Sequence, residues 1–229
     1  MCSRYSLTSP PEAVRSYFHY SNEAVFPPRY NIAPSQPVAI VRNTPAGSRE
    51  LALVRWGLIP SWVKDPRTLK MLINARGETA ADKPSFRGGM RHRRCLVPTD
   101  GFYEWTGRAG AKRPHLVRPR GGGPMALAGI WEHWLGADGS EIETMAILTV
   151  DANADVAVLH NRMPAIVAPM HFDAWLDCRS GSALAAAELL IPASDGFLEL
   201  VEVSRKLNNP RNEGPEVQEP AEAPAPTLL

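Results

Sequence analysis

Cysteine is scarce in this chain. The 229 residues hold three, Cys2, Cys95 and Cys178, with no short spacing between any two, which argues against a disulfide framework and against a zinc site. A reducing compartment follows, most simply the cytoplasm or nucleoid. Long apolar runs are missing too. No stretch approaches about 18 apolar residues, so no spanning helix is expected. The first residues are mixed, carry Arg4 and lack the apolar core of a signal peptide. No internal repeat is visible. Lys and Arg do not occur after Arg211, where Glu213, Glu216, Glu219 and Glu222 do. The residues up to Arg211 therefore hold all 25 cations against 20 of the 24 anions, an excess that suits a polyanionic partner without demanding one.

What is present describes an ordinary globule, 44% hydrophobic and 21% charged, of a size to bury one sizeable core. Met1 to Leu7 reads as a strand. Ser9-Pro10-Pro11-Glu12 starts a helix in which Ser9 caps and Glu12 completes a capping box, and the helix ends near Tyr20. Pro27-Pro28 and Ala33-Pro34 mark loops around Arg29-Tyr30-Asn31. Val38 to Val41 and Leu51 to Trp56 form a hairpin, and Gly57 to Lys70 is loop. A short helix follows Glu78, then a basic loop from Phe86 to Arg94. Strands follow at Cys95–Val97, Phe102–Trp105, His115–Arg118, Met125–Trp131, Met145–Val150, Met163–Val167 and Phe197–Val203, with helices after Pro169 and over Ala183–Leu190. The run Met145–Val150 is continuously apolar, the pattern of a strand buried on both faces. Many strands with few helices between them predict an α+β, β-rich single domain, a mixed or antiparallel barrel-like sheet with peripheral helices. The domain covers residues 1–211. The Glu-, Pro- and Ala-rich residues 212–229 cannot build a core and are expected to be a disordered tail.

The candidate chemistry starts at the terminus. Loss of Met1 would leave Cys2 with an α-amine and a thiol on adjacent carbons. The amine is acidic enough (pKa roughly 7.7 to 8) to be partly neutral near pH 7, and a cation such as Arg4 would favour the thiolate. This 1,2-aminothiol condenses with an aldehyde to an imine, and the thiol then closes a thiazolidine ring, a step accelerated by tethering. Taken alone, Cys2 reads more simply as a small buried residue that follows the initiator. Asn74, Glu104 and His160 each have a commonplace reading as well: a turn former, an outward strand residue and a satisfied core histidine. Together with Cys2 they make a plausible set. Glu104, among Phe102, Tyr103 and Trp105, would have a raised pKa and shuttle protons. His160 titrates near neutrality and could protonate a sugar ring oxygen. Asn74 can hold either the amine or a hydroxyl. Arg4, Trp56, Trp62, Arg76, the 87–94 loop, Trp105 and Arg162 interleave cations with indoles, as a single-stranded nucleic-acid groove does.

Several separated stretches resemble one family. They are Met1-Cys2-x-Arg4, Arg29-Tyr30-Asn31-Ile32-Ala33-Pro34, Trp56-Gly57-Leu58-Ile59-Pro60-Ser61-Trp62 and Ile73-Asn74-Ala75-Arg76-x-Glu78-Thr79. With them go Arg94-Cys95-Leu96-Val97-Pro98, Asp100-Gly101-Phe102-Tyr103-Glu104-Trp105, His160-x-Arg162-Met163-Pro164 and Asn208-Asn209-Pro210. In this order they resemble the SRAP family, the SOS response-associated peptidases or abasic-site processing proteins. The resemblance implies a β-rich domain with a groove for single-stranded DNA containing abasic sites. It implies a mature Cys2 that captures the ring-opened sugar as a thiazolidine crosslink; the family is credited with removing its own Met1, and a host aminopeptidase is the alternative route. It casts Cys2, Asn74, Glu104 and His160 as catalytic, Arg4, Arg76 and Arg162 as DNA-backbone contacts, and Trp62 as a groove aromatic, with Trp105 beside it. No cofactor, metal, membrane or obligate protein partner is implied, and a monomer is expected. Ser3 stands where the family has glycine, adding a polar group at the groove. Two other readings stay open: an N-terminal-nucleophile cysteine amidotransferase, which would release ammonia from glutamine, and a non-enzymatic single-strand binder indifferent to loss of the Cys2 thiol.

Overall fold

The computed structural model describes residues 2–221. Five strands, numbered in chain order with the rest, close a barrel: β3 (Pro37–Asn43), β4 (Arg49–Trp56), β6 (Arg94–Thr99), β9 (Met125–Leu135) and β10 (Glu141–Asp151). β4 and β10 pair parallel and the other pairings in the ring are antiparallel. Short strands β5 (Asn74–Arg76), β11 (Arg162–Pro164) and β12 (Ile166–Val167) extend the barrel wall along β10 and β9. Against it lies an antiparallel five-stranded sheet of β1 (Tyr5–Leu7), β2 (Arg29–Ile32), β7 (Gly101–Thr106), β8 (Arg113–Pro119) and β13 (Leu198–Glu202). Its spatial order is β13-β8-β7-β1-β2. This is the β-rich α+β single domain that the strand pattern predicts.

The apolar run read from the sequence is the centre of that barrel, with residues Met145 to Val150 buried throughout. Packing there is tight enough to specify side-chain size. A Cβ on Gly129 would sit 2.9 Å from both Cys95 Sγ and Val97 Cγ2, closer than packed interiors tolerate. On the outer face of the second sheet, Tyr103, Leu116, Val203, Leu207 and Val217 form a smaller core.

Four local expectations change. Ser9 does not cap α1 (Pro11–Phe18), whose N-cap is Pro10. Asp100 takes both the backbone N–H (2.7 Å) and the hydroxyl of Ser9 (2.5 Å), tying the helix entry to the turn between β6 and β7. Arg29 to Ile32 is a strand rather than a loop, since its prolines only flank it and Tyr5 pairs with Ile32. The basic loop is a helix in its middle, α3 (Arg87–His92), preceded by α2 (Gly77–Ala80). Finally, order continues past residue 211. Pro215–Val217 is a 3₁₀ turn, Val217 is buried, and the N–H of Ala221 donates to Glu202 O at 2.9 Å. Val217 in the smaller core, together with hydrogen bonds to Asn31, Tyr103, Glu202 and Ser204, holds a segment whose composition could not build a core of its own. Residues 222–229 of the expected tail lie outside the described residues.

Arg94, at the start of β6, is 1% exposed and acts as a bolt. Its guanidinium donates to the carbonyls of Trp175 (2.6 Å), Met90 and Asp177, and lies 5.7 Å from the Trp175 ring centre. It thereby closes the C-terminal ends of α3 and of the Phe172–Leu176 helix onto the barrel. Arg94→Met is expected to cost about 3 kcal/mol or more, because three buried acceptors lose a charged donor. Urea unfolding should show a lower midpoint at an unchanged slope.

Candidate active site

β5 and β7 bring two of the four predicted residues to the chain start. Asn74 opens β5, and its Nδ2 donates to the carbonyl of Cys2 at 2.7 Å across 72 residues of sequence. Its Oδ1 is buried and accepts no hydrogen bond from the described residues, which leaves an acceptor beside the Cys2 backbone. Glu104 sits in the middle of β7 and is buried. Burial raises its pKa above the usual carboxylate range, opposed by nearby positive charge that includes His160 and Lys112. The carboxyl is therefore near enough to His160 to feel its charge.

His160 follows a short helix, Ala154–Ala157, which Asn153 caps through a hydrogen bond from Val156 N. The Nδ1 of His160 accepts the backbone N–H of Arg162 at 2.9 Å. In the neutral ring the proton then resides on Nε2, so the imidazole offers a donor at that end. Arg162, in turn, is locked in place. Its guanidinium meets Glu78 in a two-pronged pair at 2.6 and 2.8 Å, Asp151 at 2.7 Å and Thr149 O at 2.6 Å. What sequence reading cast as a phosphate contact is held between two carboxylates, and its backbone orients His160.

Cys2 itself is buried, and its thiol donates weakly to Arg4 O at 3.5 Å. Burial pushes the thiol pKa well up and the charge of Glu104 adds to this. The expectation that Arg4 favours a thiolate is corrected by where its side chain goes. The Arg4 Nη1 donates to Asn31 Oδ1 (2.7 Å) and Leu207 O (3.3 Å) and the group lies 6.0 Å from the Trp105 ring. Burial and the neighbouring carboxyl thus favour the S–H form of the thiol.

Arg4 and Trp105 border a cleft of about 460 Å³ completed by Ser3, Gly110, Lys112 and Asn208. Trp105 is fixed by its Nε1–H to Asn208 Oδ1 (2.7 Å), and Asn208 Nδ2 reaches Lys112 O at 3.2 Å. Ser3 does line this cleft. Arg76 on β5 and Trp62, 60% exposed in the loop between β4 and β5, face solvent. Sequence reasoning passed over Lys112, which carries no local signal in the turn Gly107-Arg108-Ala109-Gly110-Ala111-Lys112-Arg113. It also gave no role to Asn31, whose Nδ2 holds the carbonyls of Asn209 (3.1 Å) and Asn212 (2.9 Å). Among the described residues no group of His, Cys, Asp and Glu is arranged to hold a metal ion.

Comparison with known proteins follows the same residues. Residues 1–210 match the profile of the family described as SOS response associated peptidase (SRAP). This chain belongs to the SRAP family. An SRAP relative in Bacillus subtilis, named abasic site processing protein YoaM, is 34% identical over 95% of this chain and 97% of its own. The Gallus gallus protein named abasic site processing protein HMCES is 34% identical over 89% of this chain and 69% of its own. The crystal structure of a protein from Bacteroides thetaiotaomicron superposes with a TM-score of 0.85 at 26% identity, covering 96% of this SRAP chain and all of that one. A Bordetella bronchiseptica protein gives 0.76 at 28% identity, covering 89% and 100%. No helix among the described residues is long and apolar enough to cross a membrane.

Proposed function

We propose that this SRAP protein processes abasic sites in single-stranded DNA by forming a thiazolidine crosslink through Cys2. The observation that carries the reading is the hydrogen bond from Asn74 to the Cys2 carbonyl, with Glu104 and His160 within electrostatic reach of one another beside it. The relatives' printed names support the substrate class.

The reaction begins when removal of Met1 frees the α-amine of Cys2, by self-cleavage in this reading. Ring opening passes the proton of the anomeric hydroxyl through the Glu104 carboxylate to the ring oxygen, which the Nε2–H of His160 holds by a hydrogen bond as the carbon–oxygen bond breaks and the aldehyde forms. The neutral amine adds to that carbonyl carbon, and Glu104 accepts the proton the nitrogen sheds. Glu104 delivers that proton to the former carbonyl oxygen, then takes the second nitrogen proton and delivers it to the hydroxyl so formed, which leaves as water and yields the imine. A carboxyl with a raised pKa suits both halves of this exchange. Asn74 Oδ1 accepts from the amine and holds its lone pair toward the sugar. The thiol closes the ring last: sulfur bonds to the imine carbon and its proton passes to nitrogen. A high thiol pKa costs little here because the attack is intramolecular and the proton moves with it. The backbone of the DNA lies against Arg4 and Arg76, with bases over Trp105 and Trp62, and the protein acts as a monomer. The stable adduct shields the lesion, a role in the DNA damage response that rests on this chemistry.

Intact mass spectrometry provides the test. The purified protein should lack Met1, and incubation with an abasic oligonucleotide should add the oligonucleotide mass less one water for the ring-closed product. Active protein that retains Met1 would overturn the mechanism. Release of ammonia from glutamine without any DNA adduct would favour the amidotransferase instead.

A further inference from the structure

A second cationic surface lies at the far mouth of the barrel. β3 starts beside Trp56, whose N–H donates to Gln36 O at 3.0 Å and whose ring packs 5.3 Å from Tyr5, close to Cys2. The other end of β3, Asn43, is roughly 20 Å further on at the rise of an extended strand. There Arg42 crosses the mouth, 4.2 Å over Trp131, between Glu50 (2.8 Å) and Glu143 (2.7 Å). This plug is charge-balanced. The surface around it is not.

Three adjoining depressions of about 560, 530 and 250 Å³ all include His92 in their walls. The first reaches Arg179, the second joins Arg179 to Arg91, and the third runs from Arg91 and Arg87 to Trp62. Arg87, Arg91, His92 and Arg179 are exposed. Among the described residues, Arg87, Arg91 and Arg179 form no ion pair; the Arg179 guanidinium donates to the neutral carbonyl of Pro45. Of the neighbouring carboxylates, Glu132 is paired with a cation, while Asp177 and Asp82 keep their charge. Glu132 holds Arg93 at 2.7 Å, and Asp177 accepts the N–H groups of Arg179 and Ser180 at 3.0 Å each. Asp82 is the remaining one along the path.

Open, connected hollows with guanidinium groups outside any ion pair and an exposed indole at one end suit an extended polyanion better than a small enclosed anion. The indole also links this surface to the Cys2 site. Trp62 stands on the loop that ends in Asn74, and the two ends of that loop are pinned together by pairing of Leu58 with Leu72. From Arg76, only α2 and a short connection separate the site from Arg87. We infer that one single-stranded flank of the lesion leaves the Cys2 site past Trp62 and runs across α3 to Arg179, its phosphates held by Arg87, Arg91 and Arg179. The inference rests on the function proposed above and adds a distal strand-binding track to it.

The test compares abasic oligonucleotides of about 6 and about 20 nucleotides with a central lesion, spanning the usual range of single-strand site sizes. The wild type should bind the long one at least tenfold more tightly than the short one. R87A/R91A/R179A should bind both alike and crosslink the short one at the wild-type rate. For the long one, the slope of log affinity against log salt should shrink by about two, at roughly 0.7 for each phosphate no longer neutralised. The matching triple lysine variant should recover the slope, which a merely misfolded alanine variant would not explain. A triple alanine variant that keeps the length preference and the slope, while crosslinking both oligonucleotides, overturns the inference alone. A wild type that crosslinks neither oligonucleotide removes the Cys2 reading and this inference with it.

Discussion

Cys2→Ala is expected to abolish the stable adduct while leaving an imine that borohydride can trap. The variant keeps an α-amine at the mature terminus, so the first carbon–nitrogen bond still forms. It has no thiol to close the ring, and the imine returns to aldehyde and amine in water. The lost step is the intramolecular one, with effective concentrations on the order of 10⁵ M or more for well-oriented groups. No external thiol can supply that, so the loss should be complete on a denaturing gel. The two nucleophiles are thereby separated: trapping with borohydride reports nitrogen, and survival without it reports sulfur. The fold should persist, because a single buried sulfur is removed and alanine keeps the backbone carbonyl that Asn74 holds. Persistence of an untrapped adduct in Cys2→Ala would falsify the thiazolidine.

Glu104→Gln should lower the rate of adduct formation by about 10²-fold or more, the usual contribution of a positioned acid–base group, with non-covalent DNA binding nearly unchanged. Its pH profile should carry the clearer signature. Attack needs a neutral amine, so the logarithm of the rate climbs with unit slope below the amine pKa. In the wild type the slope should steepen to about two below the pKa of Glu104, which burial has lifted above the ordinary carboxylate range, because the base must also be ionised. Glu104→Gln should keep unit slope throughout. The stability effect runs the other way. The folded state holds a proton on Glu104 to higher pH than the unfolded chain does, so the wild type loses stability as pH rises from the unfolded pKa through the folded one. Glutamine has no charge to bury, and thermal unfolding at pH 7 should occur no lower than in the wild type. Equal losses in binding and in rate would make Glu104 a DNA contact instead.

Much of the architecture was legible in the pattern of apolar residues. Met145–Val150 reads as a doubly buried strand and is the barrel's central wall. Phe102–Trp105 and Met125–Trp131 likewise fall within β7 and β9. The elements that were misread depend on partners distant in sequence. Arg87–His92 has two glycines in six residues and little helical propensity. It is helical because Met90 and Gly89 pack into the barrel wall and Arg94 closes its last turn. Arg29–Ile32 pairs because Tyr5 offers an edge, and Pro215–Val217 docks because Tyr103 and Leu207 leave room for Val217.

The sequence by itself determined the chemical inventory: a cysteine at the second position, a carboxyl among aromatics, a histidine and an asparagine in recognisable settings, and enough alternating apolar strand to close a barrel. Only the tertiary structure decided the state and duty of each group. Burial and a neighbouring carboxyl disfavour the charged form of Cys2. Arg162 orients a histidine because Glu78 and Asp151 reach it from separate segments, and Arg4 turns to Asn31 rather than to the thiol. The reason is physical. A residue's type and spacing are local properties, whereas its desolvation and its choice of partner belong to neighbours that the fold brings together from tens of residues away.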